Sequence, residues 1–286
     1  MSVLFIPCYY DGLSRSSGSV RIRAEWVCRY WDGADVYDGR QRLGGHDLYV
    51  FQKAYLGELT QRWIRTIARW RDEGRCRLAF DLCDPDFLEP EHERRMLDVL
   101  PLFDFAVATT QPIADWLSQW LPAYVIPDRV DLDGVREIGL SIPTRSFIPR
   151  LVWAGYERNV GALAEMRPVI EEMGLPLEIM ALCRPVPFGE FWGRVIEYDV
   201  LLNPLPDAAP FSYKSDNKTL VAWALGMPVA RTVEDIARLC DPRTRRREVE
   251  ARALEVGALW DVRKSVEEWK AVLGKVTCSN REEEGK

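Results

Sequence analysis

Residues 198–231 read YDVLLNPLPDAAPFSYKSDNKTLVAWALGMPVAR, and two lysines, Lys214 and Lys218, flank a Ser-Asp-Asn triplet there. Ser215, Asp216 and Asn217 are residue types that cap a helix N-terminus. A helix opening at this point presents unpaired N–H groups and a partial positive charge. Two ammonium groups beside it make a place that holds phosphate or diphosphate. Gly226 closes the helix and Pro228 begins the next strand.

A second group follows an apolar run at Asp81-Leu82-Cys83-Asp84-Pro85-Asp86. A carboxylate at a strand end can take the proton of an acceptor hydroxyl. Asp84 is the first candidate and Asp81 the second, with a structural capping role open for either. Asp84-Pro85-Asp86 also has the spacing of a metal-binding carboxylate pair, but three residues are a weak match. A third group lies after the first strand, where the loop GLSRSSGS (12–19) runs into VRIRAEW. Ser17, Gly18, Ser19, Arg21 and Arg23 there, and Lys53 after Gln52, are candidate contacts for an acceptor or a phosphate. A flexible loop and a solvated basic helix remain the alternative.

Alternating short apolar runs and helical patterns must position these groups. Strands are predicted at 3–9, 34–37, 47–52, 77–82, 105–109 and 123–127, with helices near 20–31, 57–73, 90–99 and 111–120. Residues 132–149 lose periodicity and hold two prolines and two glycines, which marks a domain boundary. Strands then resume at 151–154, 177–182, 200–205 and 228–230, with helices near 159–173, 188–194, 216–225 and 232–240. Residues 243–275 read as one or two further helices, and residues 276–286 as a polar, frayed tail. The expected division is 1–135 and 150–275, two α/β halves with a ligand cleft at their strand C-termini.

Composition limits the chemistry. The chain has 286 residues, 47% of them hydrophobic, enough to bury one or two cores. A net charge of -6 argues against a surface built to grip polyphosphate, so nucleic acid is an unfavoured partner. Seven cysteines show no CxxC pair and no zinc-like spacing with His46 or His92, so no metal site is assigned and reduced thiols in a cytoplasmic protein are expected. No run reaches the ~18 apolar residues of a membrane span. Helix 57–73 carries Leu59, Trp63, Ile67 and Trp70 beside four arginines. It reads as core-facing with snorkelling arginines, although peripheral membrane contact suits the same pattern. RTRRR at 243–247 is expected on a solvated, paired helix. No P-loop, G-x-S-x-G, HExxH or G-x-G-x-x-G occurs.

The strand Asp199, Val200, Leu202, Pro204, the KSxNK helix start and the closure Ala224, Gly226, Pro228, Val229 together resemble the donor domain of GT-B glycosyltransferases, the "group 1" nucleotide-sugar superfamily. LVWAGYERNVGALAEM (151–166) resembles the opening of the same domain. The resemblance implies two Rossmann-like domains whose parallel sheets face a cleft, the first binding acceptor and the second a nucleotide-sugar donor. It implies sugar transfer to the hydroxyl of a glycan or lipid-linked sugar, with a DNA base as a minor option, and with no metal and no cofactor besides the donor. Donor contacts would be Gly155, Arg158, Lys214, Ser215, Asn217 and Lys218. Val221 stands where many relatives have a ribose-binding glutamate, and Asp128-Arg129-Val130-Asp131 replaces their N-G-V-D. A nucleotide-sugar epimerase and a non-catalytic nucleotide-sugar or glycan-binding protein are the alternatives.

Overall fold

The computed structural model describes residues 1–8, 17–56, 58–141, 146–184, 186–204 and 209–283, with the side chains of 58–62 and 277–283 left aside. The chain forms two compact units. The first comprises Met1–Asp128, the short stretch Tyr213–Ser215 and the C-terminal segment from Val262; the second comprises Arg129–Ser212 and Asp216–Asp261.

The first unit is a six-stranded parallel sheet: β1 (Val3–Ile6), β2 (Ala34–Val36), β3 (Leu48–Gln52), β4 (Arg77–Leu82), β5 (Phe105–Ala108) and β6 (Ala123–Val125). The order is β2-β1-β3-β4-β5-β6. Apolar runs such as VLFI and FAVA are buried throughout, as expected of strands covered on both faces. The helices are α1 (Gly18–Val20) and α2 (Trp26–Arg29), joined by a π turn at Arg21–Glu25, then α3 (Glu58–Asp72), α4 (Pro90–Val99) and α5 (Gln111–Leu117). Ile64 and Ile67 of α3 are fully buried, and Trp63 and Trp70 pack on the same core, so this helix faces inward as its spacing predicted.

The second unit has a four-stranded parallel sheet of β7 (Leu151–Tyr156), β8 (Leu177–Leu182), β9 (Val200–Leu202) and β10 (Val229–Ala230), in the order β10-β9-β7-β8. Its helices are α6 (Leu132–Arg136), α7 (Met166–Glu172), α8 (Phe188–Val195), α9 (Asn217–Ala224), α10 (Val233–Leu239) and α11 (Pro242–Leu259), with a 3-10 segment at Glu157–Leu163. Thr232 and Asp235 form a capping box that starts α10, and Asp241 caps α11.

Three expectations change. The last helix, α12 (Val262–Glu283), packs in the first unit, because Trp269 is buried against Phe5 and Trp31 at ring distances of 5.7 and 6.4 Å. Residues 276–283, expected to fray, continue that helix. Arg245 of RTRRR is fully buried and donates to the carbonyls of Leu239, Cys240 and Ser146 instead of lying in solvent.

Candidate active site

In an open parallel sheet, ligands bind beyond the strand C-termini where the strand order reverses. In the first unit that point lies between β1 and β3; in the second it lies between β7 and β9. Lys53 follows β3 and Gly155 lies near the end of β7, each beside the reversal point of its own unit.

In the first unit Arg23 is buried and holds both oxygens of Asp81, with Nη2 2.5 Å from Oδ1 and Nε 3.3 Å from Oδ2. Its Nη1 donates to the Ile126 carbonyl at 2.6 Å and to Asp128 at 3.3 Å. Burial opposes the guanidinium charge, but Asp81 and Asp128 more than restore it and push the Arg23 pKa up. Asp81, a candidate base, is thus engaged inside the protein. Arg23, a candidate acceptor contact, is here a structural cation. Burial raises Asp128 above the usual carboxylate range despite Arg23 and the Ser215 hydroxyl, which donates to it at 2.5 Å.

Lys53 lies just past β3, in a left-handed conformation with φ 47°. Its Nζ donates to Asp84 at 2.6 Å and to Asp86 at 2.9 Å, so the DxD carboxylates clasp an ammonium group and Lys53 serves them. Tyr55 donates its hydroxyl to Asp86. Burial works against ionisation of Asp84, but Lys53 and then Lys214 hold its carboxyl below the usual range. Asp84 has 40% of its side chain exposed, against 2% for Asp81. Burial pushes the Cys8 thiol up to about 11 and raises Cys83 well above its ordinary value, which leaves both as neutral thiols.

Lys214 and Ser215 sit on the short stretch that belongs to the first unit. There the Tyr213 ring meets Phe87 at 5.5 Å and the Thr110 hydroxyl donates to the Tyr213 carbonyl at 3.0 Å. Ser17 and Ser19 share a hydroxyl hydrogen bond of 2.9 Å near the start of α1, Gly18 opens that helix, and the Arg21 guanidinium lies over Trp26. Positions 12–16 of the predicted loop lie outside the described residues.

In the second unit, Gly155 is the penultimate residue of β7 and β9 leads to Asn203. A Cβ at Gly155 would stand 3.1 Å from Lys218 Nζ and 3.2 Å from the Trp153 ring, so glycine makes the room in which that ammonium sits. Lys218 Nζ is 5.5 Å from the centre of the Trp153 ring. Asn203 fixes the first turn of α9 by donating to the Thr219 hydroxyl at 2.9 Å, a buried pair. Asn217, the first residue of α9, donates to the Arg129 carbonyl at 3.4 Å. Arg158 is exposed and lies over Tyr156 at 5.8 Å.

Gln52, which closes the predicted strand 47–52, is not among the predicted site residues. It is 3% exposed at the end of β3, and both polar atoms of its amide are buried with no hydrogen-bond partner among the described residues. A continuous apolar run, Leu48-Tyr49-Val50-Phe51, that ends in a polar residue is the available signal. Among the described residues no cluster of three or more His, Cys, Asp or Glu side chains is placed to hold a metal.

No family model matches the sequence, and no curated protein matches it by sequence. Solved structures do. One is an alpha-glucosyltransferase in complex with UDP and a 13-mer DNA containing a HMU base, at TM-score 0.64 and 12% identity over 97% of this chain and 100% of that one. An alpha-glucosyltransferase with UDP-glucose and DNA containing an abasic site matches at 0.64 and 10% over 95% and 98%. HepE of Anabaena with UDP-glucose matches at 0.55 and 13% over 96% and 100%. At such identities the likeness carries the fold, and the fold of this chain is that of the GT-B glycosyltransferases.

Proposed function

We propose that the chain is a glycosyltransferase that moves a sugar from a nucleoside-diphosphate sugar to an acceptor hydroxyl. The observation that carries this reading is the second unit's reversal point, where Lys218 fills the space left by Gly155 beside the start of α9. An ammonium group and helix N–H groups there suit a diphosphate. Within the second unit, Asn217 and Arg158 are the further donor contacts. The neighbours solved with UDP or UDP-glucose favour a uridine donor.

Transfer breaks the bond between the anomeric carbon and the diphosphate oxygen and forms one from that carbon to the acceptor oxygen. The diphosphate departs with the electron pair, and Lys218 stabilises its charge. Asp84 receives the acceptor proton. Its depressed pKa makes it a weak base, so the proton moves as the new bond forms. Ser17, Gly18, Ser19 and Arg21 are the acceptor contacts in the first unit. The residues supply this chemistry without a metal or a further cofactor. The free thiols of the six described cysteines suit a cytoplasmic protein, and no described helix is long and apolar enough to cross a membrane.

A glycan or lipid-linked sugar is the preferred acceptor. The DNA in two neighbouring structures favours a modified DNA base as a second reading, which the net charge of -6 opposes.

The test is incubation of the full chain with labelled UDP-glucose, alone and with glycans, lipid-linked sugars or DNA containing a HMU base, following free UDP and transferred label. UDP release is expected, with Asp84→Asn lowering it by about 10²–10⁴ while UDP still binds. An epimerised sugar nucleotide as the product would make the chain an epimerase. Tight UDP binding with no release would make it a binding protein.

A further inference from the structure

Behind Asp84, the first unit holds a second layer of polar groups. Lys53 Nζ donates to Asp84 Oδ2 at 2.6 Å and to Asp86 Oδ2 at 2.9 Å. The Tyr55 hydroxyl donates to that same Asp86 oxygen. Tyr55 is fully buried, its ring 6.3 Å from Phe80 of β4, and burial raises its pKa, so it stays a donor. A chain of hydrogen bonds thus runs from the core through Asp86 and Lys53 to Asp84.

The two carboxylates are not equivalent. Asp86 takes two donors on Oδ2 and has 24% of its side chain exposed, the less open of the pair. On Asp84 both donors, Lys53 and the Cys83 thiol at 3.7 Å, also meet Oδ2, but no core residue stands behind it. Its Oδ1 has no hydrogen-bond partner among the described residues. Burial opposes the Lys53 charge, yet the groups around it, Asp84 and Asp86 among them, hold its pKa well above the ordinary value. An ammonium facing one carboxylate bears fully on it. Shared between two, it bears less on each.

We propose that Asp86, backed by Tyr55, is a positioning residue for Asp84: it draws part of the Lys53 ammonium to itself and leaves Asp84 Oδ1 open to the acceptor hydroxyl. This rests on Asp84 being the base of the proposed transfer. There the acceptor O–H bond breaks, its proton goes to Oδ1, and its electron pair forms the bond to the anomeric carbon. The charged groups around Asp84 are Lys53, Lys214, Asp86 and Asp128, with Cys8 and Cys83 as neutral thiols. Loss of Asp86 removes a negative charge and leaves the ammonium to Asp84, so Asp84 should titrate at lower pH. Loss of Lys53 should act with the opposite sign.

A carboxyl carbon-13 NMR titration of the full chain tests this, with Asp84→Asn to assign the signal and circular dichroism to mark the pH range in which the fold persists. Asp86→Asn should keep Asp84 ionised to a pH about 1 unit lower than in the parent chain, and Lys53→Met should move its midpoint up by at least as much. Tyr55→Phe keeps the ring and frees Asp86 to pull harder on Lys53, so the midpoint should rise slightly. In UDP release from UDP-glucose at pH 7, Asp86→Asn should lower kcat about three- to tenfold and leave KM unchanged, because Asp84 becomes a weaker base. An Asp84 midpoint that ignores Asp86→Asn, or that moves the same way in Asp86→Asn and Lys53→Met, overturns the positioning role whether or not UDP is released. Midpoints that move in opposite directions in a chain that releases no UDP support the positioning role and refute the transfer reading instead.

Discussion

Replacing Arg23 by methionine separates the two halves of the buried pair. The substitution keeps most of the aliphatic stem but leaves Asp81 and Asp128 buried without their cation, and the Ile126 carbonyl without its 2.6 Å donor. Removing one partner of a buried pair costs about 3–5 kcal/mol, a large share of the ~5–15 kcal/mol that holds a domain folded. Asp128→Asn should behave differently. Burial already raises the Asp128 pKa, so the folded state binds that proton more tightly than the unfolded chain does. The stability this adds is fully present below the unfolded pKa and is lost as pH rises through the folded one. At neutral pH the Asp128 charge is therefore a cost. Asparagine removes the charge and keeps an oxygen for Ser215, so it should cost no more than about 1 kcal/mol. Urea unfolding at pH 7, followed by tryptophan fluorescence and circular dichroism, compares the variants. An Arg23→Met cost below about 1 kcal/mol, or a larger cost for Asp128→Asn, would refute the reasoning.

Gly155→Ala places a methyl 3.1 Å from Lys218 Nζ and 3.2 Å from Trp153. The lysine end must move and the packed ring must shift, so stability should fall by about 1–3 kcal/mol and UDP affinity should fall with it by calorimetry, whereas unchanged affinity would separate Lys218 from the donor. Lys53→Met removes the ammonium that depresses Asp84. A depressed carboxyl contributes stability present above the unfolded pKa, about 3.8, and lost as pH falls through the folded value, so the destabilisation in urea titrations should shrink below pH 4. A pH-independent difference would contradict that linkage. Thr232→Ala removes the hydroxyl that accepts from Asp235 N at 3.2 Å and should cost about 0.5–2 kcal/mol in the same unfolding experiment.

Local pattern made much of the fold legible. Residues 77–82 and 177–182 match β4 and β8 at both ends, and Pro90, a first-turn proline, sets the start of α4. The order of strands was not legible, because pairing β1 with β3 and β7 with β9 leaves no trace in periodicity. The pairing of β7 with β9 sets Gly155 beside the strand that leads to α9 and Lys218, whereas Lys53 meets Asp84 through the sequential neighbours β3 and β4. Long-range packing also decides where α12 belongs, since Trp269 meets Phe5 across most of the chain. Arg23 looked like a site cation because its partners, Asp81 and Asp128, lie 58 and 105 residues away. Lys214 and Lys218 looked like one clamp in the sequence. The three-residue excursion into the first unit assigns them to different units and gives Lys214 to the surroundings of Asp84.

Thermal unfolding of the full chain with and without UDP, repeated for Lys218→Ala, tests most directly whether the second unit is a diphosphate site. Bound at 100 times its dissociation constant, UDP should add ~2.7 kcal/mol, seen as a higher melting temperature. Lys218→Ala should lose most of that gain while melting like the parent chain when UDP is absent. A shift of the same size in the variant, or no shift in the parent, would contradict the account.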